Sequence, residues 1–457
     1  MFPVQVDDDP QPAGSPVRGT AVAGRRSAAR LPVGVTWAVA LGALWRFGVL
    51  VVDKWHQSLL LNDSLYYSAQ AQQLWDGRWF REIFTDRPGA EHGPLTSLVL
   101  ASVSWLDDPV PWQRLVTVLC GIATIAVVGL IGRRVGGDRV ATVAAAVVAV
   151  SPNFWMNDGL VMSESVSMLC VSLVLLAAID LVDPREPREP PDRSSWRRAA
   201  GVGALVGLAA LARSELALLV PLLAALVAVR GWRSRTGSRR VGEVLAVPGV
   251  LAGAAVIVVA PWVLFNLSRF DEPVTLTTND GTTLLGSYCD ATFGGPELGG
   301  WSIFCVTDDP AYAMDEEPSV RSARQRDLAI DYARDHVRQL PKVVVARVAR
   351  TLDLYGLDSL VAQDVGEERY RWASWAGIVT WWVTAPLAVV GAVHLARRRR
   401  RVLALLCCPV AAVAFTTVVF YGAHRIRSSM EPTVAVLAAI AISGWWSTRS
   451  ARRADGR

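Results

Sequence analysis

The sequence predicts an all-α polytopic membrane protein of about ten transmembrane helices, with juxtamembrane helices in a first external loop and a small mixed α/β external loop region. Three observations predict it. The 457 residues are 52% hydrophobic. Apolar runs near 20 residues long recur along them, the length needed to cross a bilayer. Arginine-rich clusters separate those runs at 25–30 (Arg25, Arg26, Arg30), 133–139, 185–198, 230–240, 397–401 and 448–457. Placing all of them on the cytoplasmic side satisfies the positive-inside rule and leaves both termini inside. The net charge of +5 then reflects topology and not nucleic-acid binding.

Residues 1–31 are rich in Pro, Gly, Ala, Asp and Arg without apolar periodicity and read as a disordered cytoplasmic tail. Residues 32–266 read as an N-terminal transmembrane module. Its spans are expected at 34–52, 113–132, 139–155, 161–182, 199–213, 215–230 and 244–266. The first is too long for a leader core and lacks a small-residue cleavage site, so it reads as a retained span. The pair 199–230 has Arg213 and Glu215 at its centre and basic flanks, which predicts a short hairpin. Three further spans are expected at 373–394, 402–421 and 430–447, ahead of a basic cytoplasmic tail at 448–457. Trp37, Trp112, Trp155, Trp262, Trp445 and Trp446 fall near span ends, as in an interfacial belt.

Two segments between spans are large and fall outside: 53–112 and 267–372. The first opens with a helix from Ser64 to Trp75, and its apolar stretch 95–106 is too short to span. In the second, alternating residues around Asn279-Asp280-Gly281 predict a β-hairpin with a type I′ turn. Residues 318–340 predict a charged amphipathic helix. Residues 343–354 predict one lying on the membrane, with Val344, Val345, Val348 and Leu352 opposite Arg347 and Arg350.

Cys120, Cys170, Cys407 and Cys408 lie in expected spans and read as small apolar residues. Cys289 and Cys305 share the second outside segment, an oxidising setting that favours a disulfide over two free thiols. No metal-ligand spacing occurs. The acids Asp308, Asp309, Asp315, Glu316 and Glu317 could attract a divalent cation, although a solvated loop is the simpler reading.

Several charged residues are candidates for chemistry. Asp63 follows the first span and precedes a helix, so it reads equally as an N-cap or as an ionised carboxylate at the membrane boundary. Arg425 and Arg427 sit in a short outside turn against the positive-inside trend. Such charges face a cavity and bind phosphate or carboxylate, or contact lipid headgroups. Arg81, Arg87 and His92 in the first loop are weaker phosphate candidates and singly read as solvated or headgroup-facing. Asp158 and Glu164 lie at outer span ends, where Glu164 either caps a helix or pairs with Arg213 across the bundle.

The ordered set Asn62-Asp63 with Tyr67, Ala71, Leu74 and Gly77, then His92-Gly93-Pro94-Leu95, Arg114, the run Gly132–Gly137, Met162-Ser163-Glu164, Gly207 to Arg213, Pro261-Trp262 with Asn266, and Arg425-Ile426-Arg427 with Glu431-Pro432 resembles the GT-C superfamily of integral-membrane glycosyltransferases. The similar branch is that of the protein O-mannosyltransferases, the lipid A aminoarabinose transferases and their actinobacterial relatives. The stretch Cys289 to Cys305 also resembles those actinobacterial members. The resemblance implies that Asp63 is the catalytic base and that a polyprenyl-phosphate sugar is the donor, with inversion at the anomeric carbon. It also implies an active site on the extracytoplasmic face of a bacterial plasma membrane. The acceptor is left open among protein, cell-wall glycan and lipid, and a divalent metal is left open as cofactor. Two positions depart from the family pattern. Ser64 stands where many members carry a second acid, and Phe265 where many carry Arg, which shifts phosphate binding toward Arg425 and Arg427. The rival readings are a transporter or flippase of lipid-linked sugars, whose charges belong near the midplane, and a non-catalytic envelope scaffold in which Asp63 is only a cap.

Overall fold

A computed structural model of the protein describes residues 31–60, 62–183, 193–233, 241–311, 313 and 316–455. The expected tail up to Arg30, the linker parts 184–192 and 234–240, and Asp315 lie outside the described residues. From Pro32 onward the chain forms one compact unit.

The elements run α1 Val33–Val49, α2 Asp63–Trp75, α3 Pro94–Ala101, α4 Pro109–Gly136, α5 Asp138–Val150, α6 Pro152–Trp155, α7 Glu164–Val182, α8 Arg193–Ala212, α9 Leu219–Arg233 and α10 Val241–Leu267. There follow α11 Asn279–Leu285, α12 Asp290–Phe293, α13 Phe304–Thr307, α14 Pro318–Asp335, α15 Leu340–Thr351 and α16 Leu357–Gly366. The chain closes with α17 Arg371–Arg398, α18 Arg400–Val419, α19 His424–Arg427 and α20 Glu431–Asp455.

The protein is a multi-pass, helical membrane protein. Among the described residues eight helical stretches are long and apolar enough to cross a bilayer: 33–54, 109–136, 164–182, 214–232, 244–267, 371–398, 400–419 and 424–445. The other two expected spans are also helical but fall short in different ways. Pro152 breaks 139–155 after the 13 residues of α5, about 20 Å of helix. The 199–213 run belongs to α8, whose first turns carry Arg193, Arg197 and Arg198.

Close helix approach depends on small residues. A Cβ on Gly203 or Gly207 of α8 would meet the Leu251 carbonyl of α10 at 2.1 Å and the Val258 side chain at 2.8 Å. That four-residue spacing is the small-xxx-small pattern of tightly packed membrane helices. Gly391 of α17 meets α20 in the same way, with the Leu437 carbonyl 1.8 Å from a built Cβ.

Three expectations are corrected. Residues 274–285 form no hairpin; Asn279–Leu285 is the helix α11, and among the described residues the only β-pairing is the isolated bridge Arg81–Pro88. Contacts from α14 override the local turn signal: the Gly281 N–H donates to Ser322 Oγ at 3.2 Å, and Arg326 pairs with Asp280 at 2.6 Å. The described residues of 53–112 and 267–372 are therefore helical, not mixed α/β. Trp155 and Trp262 are buried, not interfacial. On α15 Val345 and Val348 do face outward, at 69% and 37% exposed, but Arg347 and Arg350 point into the protein and are fully buried. Arg347 donates to the Val418 and Val419 carbonyls at 2.8 and 3.1 Å, and Arg350 to the Gly422 carbonyl at 3.3 Å. They satisfy the open carbonyls at the C-terminus of α18. Cys289 and Cys305 are disulfide-bonded.

Candidate active site

The site is built around the start of α2. Asn62, in extended conformation, is the N-cap, and its Oδ1 accepts from the Ser64 N–H at 2.8 Å. Capping is thereby done by the neighbour, and Asp63 occupies the first helical position with its carboxylate free to turn outward. The Asp63 side chain is 26% exposed. One oxygen accepts from Arg425 Nη2 at 2.5 Å, and the other lies 3.4 Å from His92 Nε2. Burial pushes the Asp63 carboxyl up, but Arg425 and then His92 outweigh it and hold the group well below the usual carboxylate range. His92 stacks on Tyr67 at 4.9 Å between centroids and meets the edge of Tyr66 at 5.0 Å. Burial lowers its pKa, yet the Asp63 charge beside it more than reverses that and leaves it raised.

Arg425 carries three acids. Besides Asp63, it donates through Nη1 to Glu367 at 3.0 Å, and its Nε lies 3.5 Å from Glu164. Glu164 is fully buried at the start of α7 and shared among guanidiniums, with Arg213 at 3.1 Å and Arg369 at 3.9 Å. Arg213 also binds Glu215 at 2.5 Å. Glu164 therefore does meet Arg213, and both stand beside the Asp63 corner. Glu164 Oε2, Arg425 Nε and His92 Nε2 are buried atoms without a hydrogen-bond partner among the described residues. Three such atoms around one carboxylate leave unused polar capacity here, which a ligand can take up.

The remaining candidates are not brought to Asp63. Arg427, only two residues from Arg425, is buried and held through Nε by Glu431 at 2.9 Å and through Nη1 by Asp353 at 2.6 Å and the Thr351 carbonyl at 3.1 Å. Asp158 pairs with buried Arg46 at 2.6 Å and accepts from Ser165 at 2.6 Å. Arg81 pairs with Asp86 at 3.4 Å on a half-exposed loop, and Arg87 lies on the same loop. The proposed acidic cation site is occupied by a side chain instead, because Arg324 reaches both Asp309 and Glu316. Among the described residues no cluster of three or more His, Cys, Asp or Glu side chains has metal-holding geometry.

Sequence reasoning missed the segment 366–370. The Gly366 carbonyl accepts from Asn62 Nδ2 at 3.0 Å. Glu367 holds Arg425 and pairs with Arg369. Glu368 accepts from Arg114 at 2.8 Å and from the Leu60 N–H at 3.1 Å, while its carbonyl accepts from Lys54 at 2.5 Å. Arg369 reaches Asn157 at 2.8 Å. Its signal in the sequence was three consecutive charges directly before an apolar span, which read simply as a membrane boundary.

The helical bundle has a fold similar to that of GT-C membrane glycosyltransferases. Residues 91–265, less than half of the chain, match the dolichyl-phosphate-mannose-protein mannosyltransferase family. The fold is similar to the archaeal oligosaccharyltransferase AglB from Archaeoglobus fulgidus, solved with an inhibitory peptide and a dolichol-phosphate. The TM-score is 0.56 at 15% identity, covering 92% of this chain and 51% of that one. The apo form of the A. fulgidus enzyme gives 0.56 at 13% identity, with the same coverage. The chain thus spans about half the length of these structures. ArnT from Cupriavidus metallidurans bound to undecaprenyl phosphate aligns with a TM-score of 0.45 at 16% identity, covering 89% of this chain and 78% of that one. No curated protein matches the sequence.

Proposed function

We propose that the protein transfers a sugar from a polyprenyl-phosphate-linked donor to an acceptor hydroxyl, with inversion, and that Asp63 is the general base. The observation that carries this reading is the Asp63 corner itself: a partly exposed carboxylate flanked by a guanidinium and an imidazole, with unused polar atoms beside it. The mannosyltransferase family match and a fold shared with an enzyme solved with a dolichol-phosphate support a lipid-phosphate donor. In the reaction the acceptor oxygen bonds to the anomeric carbon and gives its proton to Asp63. The bond from that carbon to the phosphate oxygen breaks, and its electron pair leaves as polyprenyl phosphate. A phosphate leaving group needs charge stabilisation more than a proton, and Arg425 is the cation placed to give it. Arg213 is the second cation at this corner, and Glu164 holds both. The corner faces the extracytoplasmic side of a bacterial plasma membrane, with both termini cytoplasmic and 53–112 and 267–372 outside.

The test is reconstitution in liposomes with a polyprenyl-phosphate sugar and an acceptor, comparing wild type with Asp63→Asn. Transfer is expected to collapse in the variant. Equal transfer by both overturns the role of Asp63. Lipid movement across the bilayer without transfer replaces the reading with a flippase.

A further inference from the structure

The corner described above has a defect as a catalytic site. A carboxylate clamped by a guanidinium at 2.5 Å is well ionised but a weak base. General-base efficiency falls as the pKa of the base drops away from the working pH. For Asp63 to take a proton, Arg425 has to loosen its hold.

The geometry of Arg425 allows this without disturbing its surroundings. Its two terminal nitrogens have separate partners, Nη1 on Glu367 and Nη2 on Asp63. Glu367 is itself fixed by Arg369, whose other contacts to Asn157, Asp364 and Glu164 tie it to the buried network. Nε makes no hydrogen bond and only a loose 3.5 Å ion contact with Glu164, so a turn about the Glu367 contact breaks one short bond, the one to Asp63, and loosens one long contact. A phosphate offers oxygens that match the planar fork better than one carboxylate oxygen does.

Resting on the transferase reading, we propose that Arg425 is a cover for Asp63 which the donor phosphate removes. The guanidinium pivots on Glu367 from the carboxylate to the phosphate, so the base is unpaired only when donor is bound. Glu367 is then a positioning residue: it touches no substrate and acts by keeping Arg425 within reach of both anions. The acceptor is deprotonated only after the donor has arrived, and the free protein holds Asp63 in an unreactive ion pair.

Competition for one cation has a thermodynamic signature. If carboxylate and phosphate contest Arg425, removing the carboxylate charge strengthens phosphate binding, and does so only through Arg425. The probe is undecaprenyl monophosphate without sugar, titrated against the full-length protein in detergent. Four proteins form a cycle: wild type, Asp63→Asn, Arg425→Gln and the double variant. Asp63→Asn is expected to bind the lipid phosphate about 5–150-fold more tightly than wild type, the usual range of coupling between sites. In the Arg425→Gln background the same substitution is expected to change affinity little. An equal gain in both backgrounds overturns the cover, since it means simple charge repulsion, and so does no gain in the wild-type background. Failure of wild type to bind the lipid phosphate at all overturns the donor reading itself. A second measurement needs no variant beyond an assignment control. Infrared spectra of wild-type protein, with the Asp63 carboxyl band identified by its loss in Asp63→Asn, are expected to show protonation at higher pH with lipid phosphate bound. An unchanged midpoint also overturns the cover.

Discussion

Arg425 and Arg427 lie two residues apart on one short helix, and their surroundings differ in a way that separates site from scaffold. Around Arg427 the Nε and Nη1 groups are matched: Glu431 takes Nε, Asp353 and the Thr351 carbonyl take Nη1, and the guanidinium lies 4.2 Å from the Trp381 ring centroid. His424 then bridges Asp353 and Asp364 at 2.7 and 2.8 Å. Around Arg425 the acids are more numerous, three against two, but the matching is incomplete, the carboxylate of Asp63 is partly open, and buried polar atoms are left over. Arginine density alone therefore does not mark function in this bundle. Unused hydrogen-bonding capacity at an accessible edge is what distinguishes the Asp63 corner.

The sharpest way to test that contrast is Asp63→Asn. Transfer is expected to fall about 10²–10⁴-fold, the usual worth of a general base, with the protein still folded as judged by its thermal midpoint. A large loss of stability in this variant erases the distinction between corner and core. Arg427→Gln is expected to behave oppositely, costing about 3–5 kcal/mol because it strands two buried carboxylates. Equilibrium unfolding in mixed micelles measures that, and activity per folded molecule is expected to change far less. Away from both arginines, Cys289→Ser with Cys305→Ser is expected to cost roughly 3 kcal/mol for a loop of about this length, read by the same unfolding assay, with lipid-phosphate affinity unchanged.

The smallest effect is on pH dependence. The Asp63 pKa is lowered in the folded protein, so its ion pair is present above the unfolded carboxyl value and is lost only as pH falls through the lower folded value. The His92 pKa is raised, so its contribution is complete below the unfolded value of about 6.5 and is lost as pH rises through the higher folded value. Stability of wild type is expected to decline above neutrality by up to about 1 kcal/mol relative to His92→Gln, given the partial exposure of Asp63. Parallel pH profiles of the two proteins remove His92 from the corner.

The bundle was legible because span length and arginine placement are strong, local signals. Asp63 was legible by position, although its rival role as a cap could be settled only by seeing Asn62 do that work. Glu164 and Arg213 were each visible as charges that need partners in an apolar setting, and they found each other. Arg427 was misassigned as a phosphate contact because the sequence shows a charge but not its ligands, and Asp353 lies 74 positions away. The Asn279-Asp280-Gly281 turn failed for the same reason, being decided by Ser322 and Arg326 on another helix. Glu367, Glu368 and Arg369 carry no motif; their meaning lies in Arg425, Arg114, Lys54 and Asn157, residues from four separate parts of the chain.

That last segment bears on how the protein is made. Translation delivers Asp63 and His92 early, within the first quarter of the chain, whereas Glu367 and Arg425 emerge only near its end. Asn62 is tied to the Gly366 carbonyl, and Leu60 and Arg114 to Glu368, so the acid's own helix is anchored by residues not yet synthesised when it enters the membrane. A nascent chain halted at residue 265 would contain the whole family-matched stretch and still lack the guanidinium that faces Asp63. Only when the final helices are in place are Asp63 and Arg425 brought together.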